Sequence, residues 1–234
     1  MQLQVQNLSV NYGAKRVLQS LSFAVESPCF VAILGHNGCG KTTFFKALTA
    51  MLPYQGSLTI NGLELKQIKN RAQVMSVLEQ KNNVVFSVKV LDLVLAGAFS
   101  KKDLWSSYEH ADEAKAKNLL QQLNISHLAN QDFTQLSGGE QQMVWLAQMM
   151  MQDTPLCLLD EPTQHLDLYN RKRIFELMAT WVAEGKMVVC ITHDTQYLPL
   201  MNGYLLNLSE STPTLRPLNA QNVENSIIIL EQKL

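Results

Sequence analysis

At 234 residues, 47% of them hydrophobic, the chain is long enough for one substantial domain with a full core and an inserted subdomain. Its 19 Lys and Arg against 20 Asp and Glu leave a formal net charge of -1, which excludes a bulk positive field for holding nucleic acid or an anionic membrane. The longest apolar runs fall short of the roughly 20 residues needed to cross a bilayer, so any membrane contact is expected to be peripheral.

The predicted elements begin with strands. QLQVQNLSV, VLQSLSFAV and GSLTINGLEL alternate apolar and polar residues, the last around an Asn61-Gly62 turn, and predict an antiparallel layer. Because MQLQVQNLSVNYG alternates and lacks a basic stretch followed by an apolar one, no signal peptide is expected. Four shorter runs are apolar on both faces: FVAIL (30–34), VMSVL (74–78), LCLL (156–159) and MVVCIT (187–192). Such runs suit central strands of a parallel sheet covered by helices. Phe44, Ala47, Leu48 and Met51 predict one covering helix; Ile174, Leu177, Met178 and Trp181 predict another, stopped by Gly185. From 87 to 152 the sequence reads as helical throughout. There Ser87 is a candidate cap for VKVLDLVLAG, and stripes fall at Ala116, Leu119, Leu120 and Leu123 and at Met143, Leu146, Ala147 and Met150. The expectation is a single domain over 1–234, with an α/β core (1–86 and 153–234), an antiparallel β layer and a helical subdomain inserted at 87–152. After His193 come a strand at GYLLNL, a turn around Pro213 and Pro217, and a short SIIILEQ segment. Cys29, Cys39, Cys157 and Cys190 have no C-x-x-C spacing, so a reduced, cytoplasmic protein without disulfides or a zinc site is expected.

LGHNGCGKTTFFKAL, starting at Leu34, carries the first chemistry. Gly35-x4-Gly40-Lys41-Thr42 between an apolar strand and an amphipathic helix fits a phosphate-binding loop. Glycines permit the backbone that turns successive amides inward, and the helix N-terminus adds positive dipole at the same point. Gly35, His36, Asn37, Gly38, Cys39, Gly40, Lys41, Thr42 and Thr43 are therefore the candidate cradle for a nucleoside triphosphate. Lys41 would reach the β and γ phosphates and the Thr42 hydroxyl would bind Mg²⁺. The glycine spacing does not match the dinucleotide fingerprint. Downstream, LCLLDEP brings Asp160 and Glu161 to the C-terminal edge of a buried strand, where ligands of parallel sheets bind. Asp160 fits Mg²⁺ binding through water. Glu161 fits the group that orients or deprotonates an attacking water, since two adjacent carboxylates repel without a cation or proton between them.

Between these motifs, LSGGEQQ (136–142) resembles the signature of ATP-binding cassette (ABC) ATPases, and the resemblance extends over nearly the whole chain. Tyr12 is placed like that family's adenine-stacking aromatic, and Gln80 like its Q-loop glutamine. TQHLD (163–167), with Asp167, looks like the D-loop, and His193 in ITHD looks like the switch histidine. Taken singly each is an ordinary residue; six motifs in the family's order and spacing carry the assignment.

The resemblance implies the ABC ATPase fold, a P-loop NTPase core with parallel sheet, and hydrolysis of ATP with Mg²⁺ held by Thr42, Gln80 and Asp160. Glu161, His193 and Lys41 would be the catalytic groups. It also implies a head-to-tail homodimer in which Ser137, Gly138, Gly139 and Glu140 of one copy meet the nucleotide held by the other. SVKVLDLVLAG, HLANQDFTQLSGGEQQ and TPLCLLDEPTQHLDLYNRK look like the cassettes of iron-siderophore, haem and cobalamin importers. Those work on the cytoplasmic face of the membrane with integral-membrane permease subunits and, indirectly, a substrate-binding protein; no nucleic-acid partner is implied. Molybdate-, zinc- or manganese-type importers and a soluble iron-sulfur assembly ATPase are the alternatives. The chain departs from the family at His36 and at Glu79, where proline is common, and at Glu140, Gln141, Gln142 and Met143, which replace a run of basic residues.

Overall fold

The computed structural model describes residues 1–80, 84, 86–101 and 108–232. In chain order the strands are β1 (Gln2–Tyr12), β2 (Lys15–Glu26), β3 (Cys29–Leu34), β4 (Gln55–Ile60), β5 (Leu63–Glu64), β6 (Met75–Leu78), β7 (Leu156–Asp160), β8 (Met187–Ile191), β9 (Gly203–Asn207) and β10 (Leu215–Pro217). The α-helices are α1 (Lys41–Leu48), α2 (Val90–Leu95), α3 (His110–Gln122), α4 (Gly138–Gln152), α5 (Leu168–Ala183) and α6 (Ala220–Glu231).

An antiparallel sheet runs β2-β1-β4-β5 and ends in the expected hairpin, where Asn61 and Gly62 take φ values of 51° and 77°. Positive φ at both turn residues matches the twist of paired strands. In β1 the buried residues change phase, from Leu3 and Val5 to Leu8 and Val10, because the pairing with β2 shifts register between Val5 and Leu8. A bulge there lets one strand keep its apolar side on the core across an extra residue.

The second sheet runs β10-β9-β3-β8-β7-β6 and is parallel except at its edge strand β10. Its central strands are buried on both faces, and period-2 alternation divides their side chains between two cores. Cys29, Val31 and Ile33 of β3, with Leu156 and Leu158 of β7, join α1 and the antiparallel sheet. Phe30, Ala32 and Leu34, with Cys157 and Leu159, join the helices on the other side. The segment between β6 and β7 contains α2, α3, α4 and short 3-10 turns, and its apolar residues share that second core with α5.

Four expectations need correction. Met51 is 56% exposed, because α1 stops at Leu48 and Ala50 turns away with φ 56°. Ser87 does not cap α2, whose N-cap is Lys89; its hydroxyl bonds the Asp132 carboxylate, which also accepts from Thr134 N at 2.8 Å. Pro217 lies in β10 opposite Tyr204 rather than in a turn. SIIILEQ is the end of α6, a helix of 12 residues capped at Asn219, whose side chain accepts from Asn222 N. All four cysteines are free, and burial pushes the Cys29 and Cys157 thiols up to about 11.

Candidate nucleotide site

The parallel strands β3, β6, β7 and β8 deliver the loop from Gly35, Gln80, the pair Asp160 and Glu161, and His193 to one edge of the sheet. Gly40, the N-cap of α1, has φ 111°, and a Cβ there would sit 2.9 Å from Leu18 Cδ2 of β2. A Cβ on Gly35 would collide with Cys39 Sγ, so the absence of a side chain at Gly35 lets the cysteine pack against the start of the loop. Lys41, 8% exposed, directs Nζ back across the loop, donating to Gly35 O at 2.6 Å and His36 O at 3.2 Å. Val17, Asn37, Gly38, Gly40, Lys41, Thr42, Thr43, Gln80 and Glu161 surround a cleft of about 300 Å³. Tyr12 is exposed at the end of β1 and pairs with Lys15, two residues before Val17.

Thr42 and Gln80 also line a smaller adjoining cleft of about 170 Å³ with Asp160 and Glu79. Asp160 is 4% exposed, and its carboxyl is pushed up to about 6, first by burial and then by the Glu161 charge, with Lys41 acting the other way. A hydroxyl, an amide carbonyl and a desolvated carboxylate are hard oxygen donors of the kind Mg²⁺ takes while keeping several waters. A divalent cation there would remove the electrostatic cost of the buried charge, so these residues fit the ion. Glu79 therefore sits where its negative charge adds to this field, which answers one of the departures from the family.

Glu161 is held at both oxygens. Gln80 Nε2 donates to Oε2 at 3.0 Å, and His193 Nε2 lies 3.2 Å from Oε1. Its backbone takes φ 52°, with Glu161 N donating to Ile191 O at 2.9 Å. Left-handed backbone at a non-glycine residue costs of order 1 kcal/mol and persists only where the surroundings fix it. A carboxylate fixed at the mouth of a phosphate-sized cleft can orient and deprotonate water.

The signature lies elsewhere. Ser137 caps α4 in a reciprocal box: Ser137 N and Oγ donate to Glu140 Oε2 at 2.9 and 2.6 Å, while Glu140 N donates to Ser137 Oγ. These bonds hold the Glu140 carboxyl below the usual range. Ser137, Gly138, Gly139 and Glu140 border a cleft of about 610 Å³ together with His165 and Asp167. His165, with φ 64°, lies over Gly138, where a Cβ would meet the imidazole at 3.7 Å. Asp167 caps α5 by accepting from Asn170 N at 2.8 Å. The phosphate-loop cleft and the signature cleft share no lining residue.

Several contacts were not legible in the motifs. Gln141 donates to Phe133 O and Leu136 O, fastening α4 to the turn before it, and Gln142 donates to Pro162 O at 2.9 Å, fastening α4 to the carboxylate loop, so both bonds come from uncharged residues that replace basic ones. Asp194 accepts from Thr163 Oγ1 at 2.5 Å and pairs with Arg171 at 2.9 Å, tying the histidine loop to the segment before α5 and to the first turn of that helix. His36 donates its amide to Ser209 Oγ at 2.7 Å.

Residues 18–164 match the family model described as ABC transporter. The chain is 36% identical over 201 residues to the hemin import ATP-binding protein HmuV of Idiomarina loihiensis, covering 82% of this chain and 75% of that one. It is 33% identical to a probable iron chelatin transport ATP-binding protein of Helicobacter pylori, covering 91% and 88%. Among solved structures, an inward-facing metal-chelate type ABC transporter superposes with a TM-score of 0.80 at 28% identity, over 98% of this chain and 88% of that one. A nucleotide-free ATP-binding cassette gives a TM-score of 0.84 at 20% identity over 100% and 99%, which speaks for the fold alone. By the family match across residues 18–164 and by relatives at 33–36% identity, the chain belongs to the ABC transporter family, as one of its ATP-binding ATPase subunits.

Proposed function

We propose that the chain powers an importer for a metal complex of the iron-siderophore, haem or cobalamin type, as a head-to-tail homodimer on the cytoplasmic face of the membrane beneath a separate permease. No helix among the described residues is long and apolar enough to cross a membrane, so translocation falls to other subunits. The cargo class rests on relatives named for hemin and iron chelatin, together with the metal-chelate transporter structure. A substrate-binding protein would deliver that cargo from the far side.

The observation that carries the mechanism is the clamp on Glu161 by Gln80 and His193 beside the phosphate-loop cleft. Glu161 takes a proton from water as the water attacks the γ-phosphorus in line with the β–γ bridging oxygen, whose bond to that phosphorus breaks to release ADP and phosphate, and His193 orients the carboxylate and contacts the γ-phosphate. Lys41 exchanges its loop carbonyls for β- and γ-phosphate oxygens, and the loop amides hold the remaining charge. Tyr12 lies against the adenine. Thr42, Gln80 and Asp160 would hold Mg²⁺, which when bound neutralises charge on the phosphate oxygens. Ser137, Gly138 and Gly139 of the second copy close over the γ-phosphate, with its Asp167 beside them.

The ATPase reading is tested on the purified chain, where Lys41→Ala should abolish most ATP binding; tight binding by this variant would contradict the loop assignment. Cargo is tested by deleting the gene and growing cells on haem, a ferric siderophore or cobalamin as the limiting nutrient. Loss of growth on one of them is expected, and parental growth on all three would rule out the metal-complex assignment.

A further inference from the structure

β9 holds the phosphate loop from behind, although no nucleotide motif includes it. It runs parallel to β3 with Leu34 opposite Asn207, and the register continues beyond both strands, since Leu208 N donates to Leu34 O at 2.9 Å. Two residues on, the same register sets Ser209 beside His36. Ser209 Oγ accepts from His36 N at 2.7 Å and lies 2.8 Å from His36 Nδ1, as donor or acceptor according to the ring tautomer. It also borders the start of the loop, where a Cβ on Gly35 would approach Oγ to 3.4 Å.

Ser209 is itself fixed. It is 2% exposed, its amide donates to Asn207 Oδ1 at 2.9 Å, and Asn207 Nδ2 donates to the Ser226 carbonyl of α6 at 3.4 Å. On the other side His36 O accepts from Lys41 Nζ. A polar chain, buried at Asn207 and Ser209 and half-buried at His36, therefore leads from α6 to the first turn of the cradle. A binding loop ordered before the ligand arrives spares the ligand the entropy of ordering it. Removing the hydroxyl would leave the half-buried His36 amide without its acceptor and free the first turn of the loop.

We propose that Ser209 is a positioning residue for the phosphate loop: held by Asn207 through its backbone amide, it uses its hydroxyl to preset, through His36, the loop amides that receive the triphosphate. This rests on the reading of residues 35–43 as the nucleotide cradle.

The test is titration with Mg²⁺ and a fluorescent N-methylanthraniloyl ATP. Ser209→Ala and the nearly isosteric Ser209→Cys should each raise Kd about five-fold, the factor for roughly 1 kcal/mol. In a His36→Pro background, which removes both the amide proton and the ring nitrogen, Ser209→Ala should change Kd by less than about two-fold. Parental Kd in both single variants, or an undiminished effect in the His36→Pro background, would overturn the assignment. So would loss of the thermal transition in both, which would make Ser209 a core residue only. If the parent chain itself fails to bind the probe, the cradle reading fails instead; normal binding by the parent with unaffected Ser209 variants removes only the role of Ser209.

Discussion

At the scale of single residues, the two neighbouring carboxylates are separated by environment rather than by residue type. Asp160 is buried beside Thr42, while Glu161 turns out of the strand with a positive φ and is gripped by an amide and an imidazole. Only the second can reach a water in the larger cleft. Glu161→Gln keeps the shape and the Gln80 neighbour while removing the base, so ATP turnover should fall by about 10²- to 10⁴-fold with nucleotide affinity retained. Single-turnover hydrolysis alongside a binding titration checks both halves; near-parental turnover would move the base elsewhere. The pair was readable in the sequence because a four-residue apolar run ends on it. The clamp was not, because Gln80 and His193 reach it from other strands, and only the strand order brings those ends together.

At the scale of elements, what was legible is what local periodicity encodes, and what was missed depends on distant chain. The doubly apolar runs gave β3, β7 and β8, and Asn61-Gly62 gave its hairpin. Ser87 looked like a cap because it precedes a helix, but Asp132, 45 residues away, takes its hydroxyl. β10 was hidden because three residues ending in proline carry no alternation, and its partner β9 defines it. Asp153 was equally silent. It ends α4 with φ 50° and meets Lys186 at 2.7 Å, Lys101 at 3.2 Å and Lys115 at 3.9 Å, joining the helical segment to the start of β8. Lys186 first, and then Lys101, hold its carboxyl down at about 2 against the cost of burial. A carboxylate lowered by folding stabilises the native state above the unfolded pKa, near 4, and loses that contribution as pH falls towards 2. With the side chain 44% exposed, the contribution at pH 7 is about 1 kcal/mol. Asp153→Asn tolerates the same backbone, so urea unfolding should show that loss at pH 7 and a smaller one at pH 3. Equal losses at both pH values would assign the effect to packing.

At the scale of the whole molecule, two clefts with donor groups for phosphate and no lining residue in common sit on one chain. In the proposed head-to-tail dimer, the nucleotide held by one copy meets the signature cleft of the other. Ser137 and Gly138 begin α4, where the first amides and the helix dipole favour an anion, and the Glu140 carboxylate already occupies the Ser137 donors within the chain. Closure by a second copy would add a γ-phosphate to that helix start. With hydrolysis blocked by Glu161→Gln, Mg²⁺ and ATP should therefore hold the protein at twice its monomer mass on gel filtration. Adding Ser137→Arg should return it to monomer, because the arginine side chain fills the space the phosphate must enter. That substitution also removes an N-cap worth roughly 1 kcal/mol, so a drop in melting temperature alone would not be informative. The discriminating result is a double variant that still binds ATP with the affinity of Glu161→Gln and yet stays monomeric. A double variant that dimerises as readily as Glu161→Gln would mean that the signature does not close the site, and the head-to-tail arrangement would have to be abandoned.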